Sequence, residues 1–350
     1  MKVTINISTF LLILFFLVAC GGSGSAPPTP TLPPPSGNGL ILTSVAPPFD
    51  IQNSDVTFYQ DISYGDYERN LFDIFLPNAS SPTALVIFIH GGGFTGQDKT
   101  TAYEQEGIKQ LIIDLLSQNI AFATINYRLL ETNESEGVLK PLNDSKRALQ
   151  FIKYHSTQLN LDKNRVLLSG SSAGAGTSLW IAFNDDMTLA ETNDEILKES
   201  TRVQGVVALD TQSSYDVVEW PTSTFQEYQP QGLDFDAIVE LLTEEVVLKF
   251  YGISNLSEIN TQSILDDRIQ LDILGLMTRD DPEFYLSNTI NDYVFPTTSD
   301  QLLHHPLHSK ALMDRGITTG VPSIVHLPSM GIDTRNEESI GAFILRKIGD

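Results

Sequence analysis

Apolar runs alternate with amphipathic segments from residue 84 to residue 348, which predicts a parallel β-sheet with helices on both faces. The runs predicted as buried strands are Ala84–Ile89, Ala121–Asn126, Arg165–Leu168, Val203–Leu209, Phe284–Asn288 and Val321–His326. The segments predicted as helices are Tyr103–Ser117, Leu142–Thr157, Ala173–Phe183, Pro306–Arg315 and Glu338–Ile348. Upstream, Val56–Tyr59 and Leu71–Leu76 flank a turn at Gly65 and predict an antiparallel hairpin. In sheets of this kind, active sites lie beyond the C-terminal ends of the strands.

The segment 211–283 separates two of these strands and is longer than a minimal connection requires. Phe235–Tyr251 has apolar residues at helical spacing with acidic residues on its other face, and Ile264–Met277 has a similar pattern. We interpret this segment as a helical cap over the site. The alternative is a structural insertion with no role in substrate choice.

Composition and charge narrow the possible partners. The chain has 350 residues and is 41% hydrophobic, which is sufficient for one large core. Its net charge is −23, with 44 acidic against 21 basic residues. We therefore expect no nucleic-acid partner, because such binding needs Lys and Arg clustered on one face.

The N-terminus has the pattern of a targeting segment. Lys2 precedes the unbroken apolar stretch Phe10–Ala19, which is too short to span a bilayer and is typical of a signal-peptide core. Its end, Leu17-Val18-Ala19-Cys20, resembles the lipobox of bacterial lipoproteins, in which the cysteine is acylated and the chain is cut before it. The alternative is an ordinary signal peptide with an incidental cysteine.

This resemblance implies a signal peptide at 1–19 and a lipid anchor, such as palmitate, on Cys20. It places the protein in the bacterial cell envelope, and Gly21 favours the outer membrane. Residues 20–48 are rich in Pro, Gly, Ser and Thr and predict a tether that cannot bury enough apolar area to fold. The folded domain is predicted at 49–350.

Two glycine-rich motifs each follow a predicted strand. Gly170–Gly174 has the G-x-S-x-G pattern of a nucleophile elbow, with Ser172 as the candidate nucleophile. The backbone N–H of Ala173 opens the next helix and is a candidate oxyanion donor. The earlier strand ends in His90–Phe94, whose glycines can turn N–H groups toward an oxyanion. Together the two motifs are specific for the α/β-hydrolase fold, a mostly parallel sheet with helices on both faces.

These motifs, together with Leu71–Pro77, Asn126–Leu129 and Asp144, resemble serine esterases of the carboxylesterase and feruloyl-esterase-like group. The resemblance covers roughly residues 55–350. It implies hydrolysis of a small-molecule carboxylic ester without a metal or organic cofactor. It also implies that Gly92 and Gly93 supply the other arm of the oxyanion hole. His90 is interpreted as a structural histidine that binds its own loop.

The acid of a catalytic triad is expected after the strand that follows the cap. There the chain resembles the family's D-x-x-V-P stretch, which makes Asp292 the first choice. Asp210, at the end of the preceding predicted strand, is the second choice because some lipases take their acid from that position. Either aspartate could instead cap a turn.

The expected base is missing from its usual position. The family's histidine follows the last strand, where this chain has Met330, and a thioether cannot accept and return a proton. One hypothesis is that the base has moved to His304 or His305, just before the helix that begins at Pro306. The other interpretation of these residues is that His305 caps the helix and His304 lies on the surface.

The sequence therefore leaves two functions open. If a histidine reaches Ser172, the protein is a serine esterase that acts through an acyl-enzyme. If none does, it is a catalytically impaired binding protein on the same fold.

Overall fold

The computed structural model describes residues 39–52 and 55–349. Within these residues a ten-stranded sheet is formed by β1 (Ser44–Val45), β2 (Val56–Ser63), β3 (Leu71–Pro77), β4 (Thr83–Ile89), β5 (Ala121–Ile125), β6 (Leu161–Ser171), β7 (Val206–Leu209), β8 (Phe284–Ser287), β9 (Ser323–Leu327) and β10 (Ile332–Asp333). The helices of the same residues are α1 (Thr101–Glu104), α2 (Glu106–Ser117), α3 (Leu139–Tyr154), α4 (Ala173–Phe183), α5 (Trp220–Ser223), α6 (Phe235–Leu242), α7 (Glu244–Tyr251), α8 (Gln262–Leu271), α9 (Ile273–Leu276), α10 (Ser299–Leu303), α11 (Pro306–Thr319) and α12 (Ile340–Ile348). Short 3-10 turns lie at Glu195–Lys198, Gln226–Gln231, Leu256–Asn260 and Pro328–Met330.

The sheet is mostly parallel, as the sequence predicts. Its strand order is β1-β2-β3-β5-β4-β6-β7-β8-β9-β10, and the strands from β5 to β9 in this order pair in parallel. The strands β1, β2 and β3 at one edge and β10 at the other pair antiparallel. Ile89 pairs with Gly170 and Ser171 with Leu209, so β4, β6 and β7 end at the same edge of the sheet. That edge carries the site.

Each face of the sheet has its own core because successive strand residues point to opposite sides. Ile87 and Ile89 of β4 belong to a cluster that includes buried residues of α3 and α4. Val86 and Phe88 belong to a second cluster, which includes residues of α2 and α12. The fold is therefore a three-layer α/β fold with helices on both faces, and the predicted fold class is confirmed.

The predicted cap is helical but more broken than expected. The single helix predicted over Phe235–Tyr251 is two helices, α6 and α7, which meet at Thr243 with φ 75° and ψ 143°. The helix predicted over Ile264–Met277 is also interrupted, at Asp272. Neither break is marked by glycine or proline in the sequence, and the hydrophobic pattern continues across it. The sequence therefore does not predict these interruptions.

The folded unit begins earlier than the predicted boundary at residue 49. The compact unit defined by contacts begins at Gly39. The backbone N–H of Leu40 donates to Gln158 Oε1 at 2.7 Å, and Ser44 of β1 pairs with Tyr59 of β2. Residues 39–48, the last part of the tether predicted at 20–48, therefore pack on the domain. The signal peptide at 1–19, Cys20 and the rest of the tether lie outside the described residues.

In the part of the chain that the structure describes, no helix has the length and apolar character needed to cross a bilayer.

Candidate active site

Ser172 lies at a tight turn between β6 and α4. Its backbone has φ 51° and ψ −122°, a conformation that costs a non-glycine residue about 1–3 kcal/mol and recurs at functional sites. The turn brings backbone segments close together at two positions, and both are glycines because a side chain there would clash. A Cβ on Gly170 would lie 2.3 Å from the carbonyl carbon of Gly174, and one on Gly174 would lie 2.0 Å from the oxygen of Ile89. The G-x-S-x-G pattern thus forms the predicted elbow.

His304 contacts the serine directly. Its Nε2 lies 2.8 Å from Ser172 Oγ, while its Nδ1 lies 2.9 Å from Oδ1 of Asp300. With Nδ1–H donating to the carboxylate, Nε2 is free to accept the serine proton. Asp300 lies in the first turn of α10 and His304, four residues later, is the C-cap residue that follows it, so one helical turn brings both side chains to the same face. The His304 side chain is 16% exposed and the Asp300 side chain 70% exposed.

The structure corrects the choice of acid. Asp292 lies exposed in the loop after β8, and among the described contacts its carboxylate makes no hydrogen bond or ion pair with His304. The partner of Nδ1 is Asp300, which the sequence analysis did not consider. The reason is local. Asp300 lies one helical turn before His304, so its carboxylate reaches Nδ1 and Asp292 is not needed as a partner.

Asp210, the second choice, interacts with the same imidazole only through its charge. It follows β7 with φ 51°, and Oδ1 accepts the backbone N–H of Thr289 at 3.2 Å. Burial raises the pKa of its carboxyl group, the hydrogen bond from Thr289 and the charge of His304 lower it, and the charge of Asp300 raises it. Asp210 therefore shares the electrostatic environment of His304 without being its hydrogen-bond partner.

His305 does not contact the serine. Its Nδ1 accepts the backbone N–H of Leu307 at 3.1 Å and caps α11, while its Nε2 donates to the carbonyl of Val294 at 2.8 Å. The residue is fully buried, and burial lowers the pKa of its ring. Both ring nitrogens are thus occupied, and of the two candidate histidines only His304 reaches Ser172.

Two other histidines of the site region are structural. His90 Nδ1 lies 2.9 Å from the oxygen of Gly91, and the ring stacks on Tyr127 at a centroid distance of 4.3 Å. Burial lowers the pKa of His90 to about 4. His308 is fully buried in α11, and burial lowers its pKa to about 3. Both rings are therefore neutral near pH 7.

The predicted oxyanion donors differ in their placement. Gly93 and Ala173 line the same cavity as Ser172, and their backbone N–H groups donate to no acceptor among the described residues. Gly92 does not line the cavity. Its φ is 87°, a Cβ on it would lie 2.5 Å from the oxygen of Gly96, and its carbonyl accepts the N–H of Thr95 at 3.0 Å. Gly92 thus shapes the turn that presents Gly93.

The cap closes an apolar cavity over the serine. The cavity has a volume of about 220 Å³. Besides Ser172 and Gly93, it is lined mainly by Phe94, Tyr215, Val217, Trp220, Leu242, Val246, Val247, Phe250 and Leu303. Four of these residues, Leu242, Val246, Val247 and Phe250, come from α6 and α7, so the cap forms part of the site.

Met330 does not take part in this cavity. It ends the 3-10 turn after β9 and packs against the main core cluster. No group of three or more His, Cys, Asp or Glu side chains within residues 39–52 and 55–349 is arranged to hold a metal ion.

Asp300 is the site residue that the sequence analysis missed, although a local signal existed. Thr298 and Gln301 have the T-x-x-Q spacing of a capping box. In the structure Thr298 Oγ1 accepts the N–H of Gln301 at 3.2 Å and starts α10. A helix that begins at this threonine places Asp300 and His304 on one face.

Comparison with known proteins identifies the family. Residues 72–310 match the family model described as BD-FAE. The chain belongs to the BD-FAE family. Among curated proteins, the probable isoprenylcysteine alpha-carbonyl methylesterase ICMEL1 of Arabidopsis thaliana is 31% identical over 117 residues, which are 33% of this chain and 23% of that protein. The chain thus spans about a quarter of the length of the curated relative.

Solved structures share the fold at low sequence identity. A truncated form of a carbohydrate esterase from gut microbiota superposes with a TM-score of 0.56 at 16% identity, over 83% of this chain and 96% of that one. Esterase B from Lactobacillus rhamnosis, inhibited by a tributyrin phosphonate, gives a TM-score of 0.52 at 19% identity, over 83% of this chain and 82% of that one. The resemblance to α/β-hydrolase esterases drawn from the sequence is confirmed.

Proposed function

We propose that this protein hydrolyses carboxylic esters through an acyl-enzyme formed on Ser172. The observation that carries the proposal is the continuous contact from Ser172 Oγ to His304 Nε2 and from His304 Nδ1 to Asp300. This arrangement supports an enzyme over a binding protein, because a binding surface needs no imidazole on the serine. The esterase names of the relatives support the same class of reaction.

The first half-reaction follows from the geometry. His304 Nε2 takes the proton of Ser172 as Oγ attacks the ester carbonyl, and the resulting oxyanion accepts hydrogen bonds from Gly93 N–H and Ala173 N–H. Asp300 stabilises the imidazolium and holds its tautomer. The tetrahedral intermediate then collapses, and Nε2 returns the proton to the departing alcohol oxygen.

The second half-reaction repeats these steps with water. His304 removes a proton from water as the water oxygen attacks the acyl carbonyl, and Ser172 Oγ leaves and recovers its proton. The products are a carboxylic acid and the free enzyme. No step in this sequence requires a redox group.

We propose that the group held under the cap is small and apolar. The cavity of about 220 Å³ is smaller than the 300–1,000 Å³ of typical ligand pockets, and aromatic and aliphatic side chains line most of it. Among simple esters, short acyl or compact aryl groups fit this description.

The test is the pre-steady-state hydrolysis of nitrophenyl esters of short acids. We expect a burst of nitrophenol equal to the enzyme concentration and an acylated peptide that contains Ser172. Ser172→Ala should abolish both, while Ser171→Ala, which removes the neighbouring hydroxyl in β6, should retain them. Wild-type turnover in Ser172→Ala, or acylation of another residue, would refute the acyl-enzyme.

We also propose that the protein is a lipoprotein of the bacterial envelope, anchored through Cys20. The support is the apolar stretch Phe10–Ala19 followed by the lipobox-like Leu17–Cys20. Growth with an alkyne-labelled palmitate should label the wild type in the membrane fraction and leave Cys20→Ser unlabelled. Equal labelling of both proteins would refute the anchor.

A further inference from the structure

The helix that carries the base is short. The helix α10 has five residues, and a helix of this length is marginal without tertiary contacts. The carbonyls of its last turn have no later helical N–H groups to accept from, so they need other partners. In this structure all three carbonyls of residues 302–304 have such partners.

Each partner is a side chain from a different part of the sequence. His308 Nε2 donates to the carbonyl of residue 302 at 3.1 Å, and Gln212 Nε2 donates to that of residue 303 at 2.8 Å. Asn288 Nδ2 donates to the carbonyl of His304 itself at 2.9 Å. We call these three side chains the carbonyl clamp.

The carbonyl clamp is buried and rigidly supported. Gln212 is 4% exposed, and Asn288 and His308 are fully buried. Asn288 directly follows β8, and its backbone N–H donates to the carbonyl of His326 at 3.0 Å. His308 Nδ1 accepts the N–H of Ser213 at 3.2 Å, which leaves the proton on Nε2 for donation to the helix.

We propose that Gln212 and Asn288 are positioning residues for the base. This inference rests on the proposed function. Their amides fix the backbone at which His304 leaves α10, and that backbone aims Nε2 at Ser172. A base on the loop after β9 would be positioned by that strand. Here two side-chain amides from the segments that follow β7 and β8 position it. Misplacement of a catalytic group by about 1 Å can cost about 10²-fold in rate.

The test compares Asn288→Ala and Gln212→Met with a matched control. Asn184→Ala removes the same type of bond, from Asn184 Nδ2 to the carbonyl of Trp180 at 2.8 Å, in the last turn of α4. With a nitrophenyl ester, we expect kcat of the two clamp variants to fall by about 10–10²-fold, with KM changed less than about threefold. We expect Asn184→Ala to retain the wild-type kcat, and all measurements are made well below the unfolding midpoint of each variant.

A second readout does not depend on turnover. We expect the proton on His304 Nδ1 that bonds Asp300 to give a low-field resonance in the NMR spectrum of the folded protein, and His304→Ala to lack it. We expect this resonance to shift or broaden in the clamp variants and to be unchanged in Asn184→Ala. An inactive wild type that shows this pattern would refute the proposed function and leave the positioning role intact.

Two results would overturn the inference. One is a wild-type kcat and an unchanged resonance in both clamp variants. The other is an equal loss of kcat in Asn184→Ala, which would show a general effect of stability. If Asn288→Ala does not fold, the resonance of His304 in Gln212→Met decides between these outcomes, because Gln212 also lines the cavity.

Discussion

Two adjacent histidines of this chain differ in role because their backbones belong to different helices. His304 ends α10 and directs Nε2 toward Ser172, whereas His305 begins α11 and spends both ring nitrogens on backbone groups. Met330, which stands where the family usually has its base, is a partly buried side chain that packs against the core. At this scale, a function is set by which atoms face the ring and not by the residue type.

Asp300→Asn should lower kcat more than Asp292→Asn. An amide at position 300 can still bond Nδ1 but can favour the wrong tautomer and cannot stabilise the imidazolium, so we expect a loss of about 10²–10⁴-fold. The lower end is favoured because the Asp300 carboxyl is 70% exposed and the charge of Asp210 also interacts with His304. Steady-state kinetics with one nitrophenyl ester give both values.

Asp292→Asn serves as the matched control for this experiment, because it makes the same chemical change in the loop after β8, 12 residues before His304, without touching that histidine. Equal losses in the two variants would argue against Asp300 as the acid. A further drop in Asp300→Asn when Asp210→Asn is added would show that the second carboxylate contributes.

Elements decide how far these side chains can reach each other. The helix α10 holds both acid and base, and its start depends on Thr298, whose Oγ1 accepts the N–H of Gln301. Its end depends on the carbonyl clamp. A single helical turn in an otherwise irregular connection between β8 and α11 thus replaces the histidine loop that usually follows the last strand.

Thr298→Ala should loosen this turn. Loss of an N-cap costs about 0.5–2 kcal/mol, and in a five-residue helix that cost falls on the segment that carries Asp300 and His304. We expect kcat to fall while the unfolding midpoint of the whole protein changes little. Thr298→Ser, which keeps the hydroxyl, should restore kcat; a Ser variant as slow as the Ala variant would contradict the capping argument.

Gly174→Ala should prevent the elbow from forming. The added Cβ would lie 2.0 Å from the oxygen of Ile89 and 2.5 Å from that of His90, and neither backbone can move without disturbing β4. We expect loss of cooperative unfolding or of soluble protein, measured by thermal denaturation. Gly341→Ala, where the nearest atom is 3.9 Å away, is the control and should fold normally.

The sequence predicted the elements that local chemistry determines. The apolar runs predicted the central strands, and Gly170, Gly174 and Ser172 predicted the elbow, since these residues must adopt that turn wherever strand and helix meet. Asp300 was missed because residues 299–303 have no hydrophobic period and the family pattern drew attention to Asp292. The choice between His304 and His305 depended on long-range contacts with Ser172 and Val294 that no local pattern contains.

At the scale of the whole molecule, the cap is held in place by a backbone hydrogen bond from outside it and by buried charge within it. The N–H of Val138 donates to the carbonyl of Phe250, which lines the cavity, at 2.8 Å. Asp216 is buried, accepts the hydroxyl proton of Tyr251 at 2.7 Å and pairs with Arg268 Nε at 3.0 Å. The backbone hydrogen bond from Val138 therefore joins the cap to the segment before α3, and the contacts of Asp216 hold the cap itself together.

Buried neutral histidines should make the fold sensitive to acid. Burial lowers the pKa of His90 to about 4 and that of His308 to about 3, below the value of about 6.5 in an unfolded chain. Between these values the unfolded state binds more protons, so the free energy of unfolding falls as pH falls below about 6.5. Each histidine contributes about 1.4 kcal/mol per pH unit within its window.

Urea unfolding at pH 7.5, 6 and 5 measures this slope. Buried carboxyl groups with raised pKa, such as that of Asp73, act with the opposite sign at the acidic end, so the comparison is made against His90→Gln. We expect the variant to lose less stability than the wild type between pH 6.5 and 5. Parallel slopes for the two proteins would show that His90 is not buried in its neutral form.

The contact between Ser172 and His304 is tested most directly by the rate at which a fluorophosphonate labels the protein. The account predicts rapid labelling of Ser172 in the wild type and near wild-type labelling in His305→Ala. In His304→Ala we expect the rate to fall by about 10³-fold or more, because a serine without its base is a poor nucleophile. Labelling of His304→Ala at the wild-type rate, or no labelling of the folded wild type, would contradict the account.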